Sequence, residues 1–273
     1  MKIKNNNKIY KIFNIKSIKK LAVAILPLLA FFLFWQVGSG FVPRGVISSP
    51  TKIATAMWAE FLRVKPASNM GGHTLLGHTL VSLSRIAKGF SLAASIGIVL
   101  GFLLGSYFKF LEKLLLPFFH VCEKLNPFAI IPVFMIIFGI GDEEKIAIVF
   151  WAAFWPILFN TEQGAKSVGP SLIRAAEAMG ADKLKVFLKV LVPSTIPSIF
   201  TGLKIAIRVA FFMIIASEVV GATNGLGWYY VQQKIVYKLP LVYGSILFIT
   251  LLAIIFNAVF TRLERHFLAW KEV

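Results

Sequence analysis

Few side chains in this sequence are spaced to make or break a covalent bond. A loop that cradles nucleotide phosphates closes in Gly-Lys-Ser/Thr. The two Lys-Ser pairs, Lys16-Ser17 and Lys166-Ser167, follow Ile15 and Ala165 instead. His73, His78, His120 and His266 show no His-Glu-x-x-His spacing, and His73 and His78 lie five apart, off a common helical face. Cys122 is the single cysteine and supplies neither an internal disulfide nor a multi-cysteine metal site. Ser39, between Gly38 and Gly40, reads as loop, and Asp142, Glu143 and Glu144 read as a solvated turn. No catalytic residue, metal ligand or cofactor is expected. What remains is a set of charges in unusual places: Glu218 at the end of an apolar run, and Arg174 with Glu177 in a long inner loop.

The elements that place those charges are membrane helices. Of 273 residues, 58% are hydrophobic, 26 are Phe and 15% are charged. A soluble domain is nearer ~45–50% apolar and ~25% charged. A mean hydropathy of +0.78 excludes a water-soluble globule and a disordered chain. The net charge of +17 therefore points to a membrane surface rather than to nucleic acid.

A bilayer core of about 30 Å takes roughly 20 apolar helical residues. Six stretches approach that length: Leu21–Gly38, Phe90–Phe108, Pro127–Ile140, Ile146–Phe159, Ile199–Val220 and Val242–Phe260. The third and fourth are short, and only Gly141-Asp142-Glu143-Glu144-Lys145 parts them, so they read as a helical hairpin. Lipid leaves no backbone group unpaired, which selects helices here, and the alternation of a membrane barrel is absent. The expected fold is all-α, a polytopic membrane protein of six transmembrane helices.

Loop charges set its orientation. The first twenty residues carry seven lysines and no acid. With that end inside, 18 basic residues lie on inner segments, among them Lys109, Lys113 and Lys124, against nine outside, among them Arg85, Lys88 and Lys145. The remaining two, Lys204 and Arg208, fall in the fifth span. Both termini are expected in the cytoplasm of a bacterial inner membrane. The basic start before Leu21–Trp35 also resembles a signal peptide, but the apolar run is long and the only small-x-small site is Gly38-Ser39-Gly40. An uncleaved first helix is expected. The chain divides into a basic tail (1–20), a first helix with outer loop (21–78), a five-helix core (79–262) and a second tail (263–273).

Gly97, Gly101 and Gly105 recur every fourth residue, the spacing of a close helix–helix contact in lipid. Pro132 and Pro156 each remove a helix hydrogen bond and are expected to kink their spans.

The inner loop between the fourth and fifth spans reads as two short amphipathic helices. Leu172, Ala175, Ala176 and Met179 follow one buried face. Gly180 sits where a helix end needs positive φ, and Asp182 looks like the next N-cap. Leu184, Phe187, Leu188 and Leu191 repeat the spacing, and Pro193 is expected to end the second helix. Such helices either lie on the inner lipid surface or dock a soluble partner.

The order Ala175-Ala176, then Gly180, then nine residues, then Val190-x-Val192-Pro193 resembles the loop motif of ABC importer permeases, written EAA-x3-G-x9-I-x-LP. Beyond the loop the chain resembles the nitrate/sulfonate/taurine-type branch. The similar segments are Ser82-Leu83-Ser84-Arg85 to Gly89-Phe90, Ile131-Pro132 to Gly141, Thr201 to Ala206, Ala216-Ser217-Glu218 and Gly225-Leu226-Gly227. One departure concerns charge: the family usually has Glu at the first motif position and often a base three residues later, whereas this chain has Arg174 and Glu177. The two could attract at i, i+3, but the usual glutamate contact with the ATPase does not carry over.

The resemblance implies a non-enzymatic permease subunit that forms the path for a small solute. It implies two separate ATP-binding cassette ATPase subunits gripping the 171–193 loops, an extracytoplasmic solute-binding protein and a second permease copy, as a homodimer. It places the coupling contact on Arg174, Ala175, Ala176, Glu177, Gly180 and Pro193. Nitrate, sulfonates, taurine, bicarbonate and vitamin precursors all suit the branch, because the binding protein selects. Glu218 is a candidate outer gate or binding-protein contact, with a structural ion pair to another span as the alternative. A self-contained secondary carrier, the competing class, would show internal repeats and buried coupling charges; no convincing repeat is present.

Overall fold

The computed structural model describes residues 15–43, 46–63, 65, 72–107 and 109–268. Most of the expected N-terminal tail (1–14), Arg44 and the last residues of the second tail (269–273) lie outside the described residues. Among those described there are eleven α-helices and no strand. The first three are α1 (Ile15–Phe41), α2 (Pro50–Phe61) and α3 (Leu75–Phe102), the last running into a π-helical turn at Leu103–Tyr107. Next come α4 (Lys109–Glu123), α5 (Pro127–Phe138) and α6 (Asp142–Lys166). The inner loop contributes α7 (Pro170–Ala178) and α8 (Lys183–Val186), then a second π-helical turn at Phe187–Leu191. It leads into α9 (Val192–Gly221), and α10 (Leu226–Ile235) and α11 (Leu239–Phe267) complete the set.

Local chemistry sets several of these boundaries. Thr74 caps α3, its hydroxyl accepting from the Gly77 amide at 3.3 Å. Asn126 caps α5 through the Phe128 amide at 3.0 Å, and Pro127 fills the first turn, where no donor is needed. Gly139, at φ +77°, stops α5.

The centre of the molecule is α6, held between α3 and α9. The expected glycine stripe makes this possible. A Cβ on Gly97 would press on Ile157, one on Gly101 would overlap Thr161 and one on Gly105 would overlap Ala165. The pairings advance together, so α3 runs parallel to α6. Gly202 against Pro156 and Asn160, and Gly164 against Ser198, bring α9 equally close in the opposite direction. Buried Ile157, Leu158 and Ala153 fill the space between.

Each of the six expected spans overlaps a helix, in turn α1, α3, α5, α6, α9 and α11, although Pro127–Ile140 runs past the end of α5 and Phe108 lies outside the described residues. Three stretches are long and apolar enough to cross a bilayer alone: Leu75–Ser106, Lys183–Gly221 and Leu239–Phe267. A fourth is a bent pair, Glu112–Glu123 with Pro127–Phe138, meeting at 97°. The third expected span is thus the second limb of this bent pair. The stretch from Lys109 to Glu123, expected as an inner loop, is helix α4 instead. Its charges sit on an amphipathic helix whose apolar residues blurred the pattern. In α6, protein rather than lipid surrounds most side chains, which explains how a central helix tolerates Asn160, Thr161 and Glu162.

The charges in the fifth expected span are partnered across α9 and α11. Lys204 Nζ lies 2.7 and 2.8 Å from the Glu264 oxygens, and Arg208 Nε donates to Asn257 at 3.0 Å.

Candidate coupling loop and outer ion-pair cluster

The inner loop is built as two helices around one glycine. Pro170 opens α7 and Gly180 closes it at φ +83°. The Gly180 amide donates to Glu177 O at 2.9 Å and the Ala181 amide to Ala176 O at 3.1 Å, the paired bonds of a Schellman end. Asp182 then caps α8 through the Lys185 amide at 3.3 Å. Both features agree with the sequence reading.

Three details differ from it. The inward face of α7 is Ile173 with Ala176, which is buried, while Leu172, Ala175 and Met179 face out. On the second helix, Val186, Phe187 and Leu191 turn inward and Leu184 and Leu188 are exposed. Of the expected faces, Ala176, Phe187 and Leu191 do turn inward, while tertiary packing brings Ile173 and Val186 in and leaves the remaining leucines and Met179 out. Second, Pro193 does not end a helix. The π-helical turn at 187–191 absorbs the register change, and Pro193 occupies the first turn of α9, where its missing donor costs nothing. Third, Arg174 and Glu177 are both exposed, and among the described residues no ion pair joins them.

The loop is fastened to the bundle through one apolar cluster. Phe102 of α3, Ala165 of α6, Val168, Leu191 and Ile199 form its buried part, and Ile173 and Phe187 pack against it. The Phe102 and Phe187 rings meet edge to face at 5.4 Å. The loop is thus packed directly against α3, α6 and α9.

At the other end of the same three helices lies a buried charge cluster. Glu218 on α9 is 1% exposed. Arg85 Nη1 of α3 meets its carboxylate at 2.7 Å, the Ser82 hydroxyl lies 2.8 and 2.9 Å from its two oxygens, and the Gly227 amide donates at 2.9 Å. Arg85 also donates to Asp142 at the start of α6, through Nε at 2.9 Å and Nη2 at 2.5 Å. It holds the following loop as well, through Asn224 O at 3.1 Å and the Asn224 side chain. The Leu226 amide donates to Ser82 Oγ at 2.9 Å and the Gly225 amide to His78 Nδ1 at 3.1 Å. Gly225 needs its φ of +107°, since a side chain there would run into the Glu218 carboxyl. Beside this cluster, burial pushes the Tyr229 phenol well above its usual range and the charge of Glu60 adds to the shift, so the phenol stays neutral.

The alternative reading of Glu218, an ion pair with another span, describes its contacts. Arg85, assigned to an outer loop by charge counting, is 3% exposed inside α3. The acidic run opens α6, and of its three acids Asp142 and Glu143 are exposed while Glu144 is not. Glu144 and Lys145 are buried, and Lys145 Nζ lies 2.9 Å from Glu144 Oε2 and Gly141 O. At 2.7 Å it also meets Gly221 O, capping the C-terminus of α9. Ser82 and Arg85, three apart and so on one helical face of α3, were the signal that could have found the cluster. No group of three potential metal ligands occurs among the described residues.

Comparison with known proteins gives this architecture its family. Residues 97–271 match the family model described as binding-protein-dependent transport system inner membrane component. The chain is 32% identical over 265 residues to the bicarbonate transport system permease protein CmpB of Synechococcus elongatus, covering 93% of this chain and 90% of that one. It is 34% identical over 209 residues to the nitrate import permease protein NrtB of the same species, covering 76% and 74%. A probable ABC transporter permease protein of Brucella abortus is 32% identical over 198 residues, covering 72% and 79%. In fold, the chain is similar to a chain of the MetNI methionine ABC transporter, with a TM-score of 0.60 at 21% identity over 71% of this chain and 95% of that one. An all-helical membrane bundle with this loop, these relatives and this fold is a non-enzymatic integral membrane subunit, and the chain belongs to the binding-protein-dependent transport system inner membrane component family as the permease subunit of an ABC importer.

Proposed function

We propose that the 171–193 loop is the contact through which ATPase subunits drive this permease. The observation that carries the reading is the division of the loop into two faces. Ile173, Ala176, Phe187 and Leu191 hold it to α3, α6 and α9, while Leu172, Met179, Leu184 and Leu188 are 50% exposed or more. Large apolar side chains on a loop between spans suit a protein partner. Arg174, Ala175 and Glu177 share the exposed surface, Gly180 sets the angle between the two helices and Pro193 starts the helix that carries the motion outward.

The orientation follows: the loop and both termini face the cytoplasm of the inner membrane, and the Arg85–Glu218 cluster lies at the extracytoplasmic end. There the cluster ties the 222–227 loop to three helices, which suits an outer gate that opens and shuts as one piece. A solute-binding protein delivers substrate to that end. Six spans and a core of 79–262 pair with a second identical copy to enclose the path. The relatives named for nitrate and bicarbonate transport favour a small oxyanion as the solute.

Cysteine cross-linking tests the reading. With Cys122 changed to Ser, Met179→Cys is expected to cross-link to an ATPase polypeptide in native membranes. Modification of Met179→Cys by an impermeant thiol reagent only from the extracytoplasmic side would overturn it.

A further inference from the structure

The bent pair α4–α5 carries ionisable residues level with the middle of α6. Its depth is fixed by contacts with α6, a helix roughly 37 Å long at 1.5 Å per residue. Near the inner end of α6, Lys166 pairs with Glu112 of α4 at 2.7 Å. Higher up, His120 stacks on Phe159 at 4.4 Å and Phe119 meets Trp155 at 5.8 Å. Beyond the break, Phe134 of α5 meets Trp151 at 6.1 Å. The break at Lys124–Asn126 therefore lies level with the middle of α6, inside the expected span Ile146–Phe159.

The side chains at that level face away from the bundle. Lys124 is 80% and His120 52% exposed, while Glu123, 3.6 Å from each of them, is more covered at 34%. An exposed ammonium at mid-membrane is costly against hydrocarbon and is retained where it lines a water-filled path. Irregular backbone at that depth obeys the same rule.

We propose that the α4–α5 break lines the translocation path and that the Lys124 ammonium is a contact point there for a small anion in transit. The carboxylate of Glu123 holds Lys124 and His120 near the break from the covered side and leaves the cation as the group a solute meets. This inference rests on the permease reading and adds the charge of the solute to it.

The test uses the transporter assembled with its ATPase in membrane vesicles, in a Cys122→Ser background. Val121→Cys, one turn from Lys124, and Leu125→Cys are labelled with the anionic sulfonatoethyl and the cationic trimethylammonioethyl methanethiosulfonate reagents. The ratio of anionic to cationic rates is read at whichever of the two positions reacts. Lys124→Gln is expected to lower that ratio about tenfold, and Lys124→Arg is expected to keep it. Failure of both cysteines to react would place this face against lipid and overturn the proposal. A ratio indifferent to Lys124→Gln would overturn it too. Loss of the Met179 cross-link to the ATPase would instead count against the coupling reading, and the rate ratio does not depend on that contact.

Discussion

Arg85 and Glu218, 133 residues apart in sequence, meet at 2.7 Å with both side chains almost fully enclosed. The pair joins the first half of α3 to the C-terminal end of α9, and Arg85 extends the link to Asp142 on α6. Removing one partner leaves an uncompensated charge, so Arg85→Met is expected to cost about 3–5 kcal/mol. Combining it with Glu218→Gln should cost less than the sum of the two single changes, since residues in one network couple. Thermal unfolding of the four proteins in detergent measures this. Additive losses would mean the two side chains do not depend on each other. Transport by Glu218→Gln is expected to fall more than its stability does, and full activity would remove the gate from the proposal.

Close approach of α3 to α6 depends on the absence of side chains at Gly97, Gly101 and Gly105. A methyl group at Gly101 would overlap Thr161, and backbone at Leu158 leaves it no room to retreat. Gly101→Ala is expected to destabilise by about 1–3 kcal/mol as the two helices are forced apart. Gly38→Ala, inside α1 with open space around it, is the control and should not destabilise, since alanine is the better helix former. Melting temperatures of the two variants give the comparison.

Much of the fold was legible because a bilayer enforces long apolar helices, and each of the six expected runs overlaps a helix. The loop was legible at Gly180 and Asp182, where a single residue type satisfies a backbone requirement. Its inward face was not, since Leu172 and Ile173 are equally apolar and only packing against Phe102 and Ile199 decides between them. Arg85 and Lys145 were placed outside by a rule that counts charges, and that rule cannot see that Glu218 and Asp142 lie across helix interfaces from Arg85, or that Lys145 reaches Gly221 at the end of α9. Helix α4 escaped for a related reason. Its partner for Glu112 is Lys166, 54 residues away, and no local pattern announces that pair.

Gly180 adopts φ +83° with nothing within 4 Å of where a Cβ would stand. A substitution there meets backbone strain alone. Gly180→Ala is expected to cost roughly 1–2 kcal/mol in the loop, and Gly180→Asn less, because asparagine visits this region more readily. The readout is ATPase stimulation by the assembled transporter. Equal behaviour of Ala and Asn variants would show that the turn does not need its left-handed residue.

The exposed face of the loop is separable from its inward face, and that separation gives the sharpest test of coupling. Met179 is 81% exposed and touches no part of the buried cluster at 102, 165, 168, 191 and 199. Met179→Asp therefore leaves the permease stability within about 0.5 kcal/mol of the parent, yet it places a charge where an apolar partner surface must desolvate it. Co-purification of the ATPase is expected to drop at least tenfold. Ala176→Asp does the reverse, since Ala176 is buried between α7 and the bundle: the chain itself loses stability. Arg174→Glu adds the charge test. With Arg174 unpaired to Glu177, its guanidinium is free to meet an acidic group on the ATPase, and reversal should weaken the complex in a way that high salt masks. A Met179→Asp protein that keeps its ATPase at full yield would leave the outer stripe of this loop without a partner.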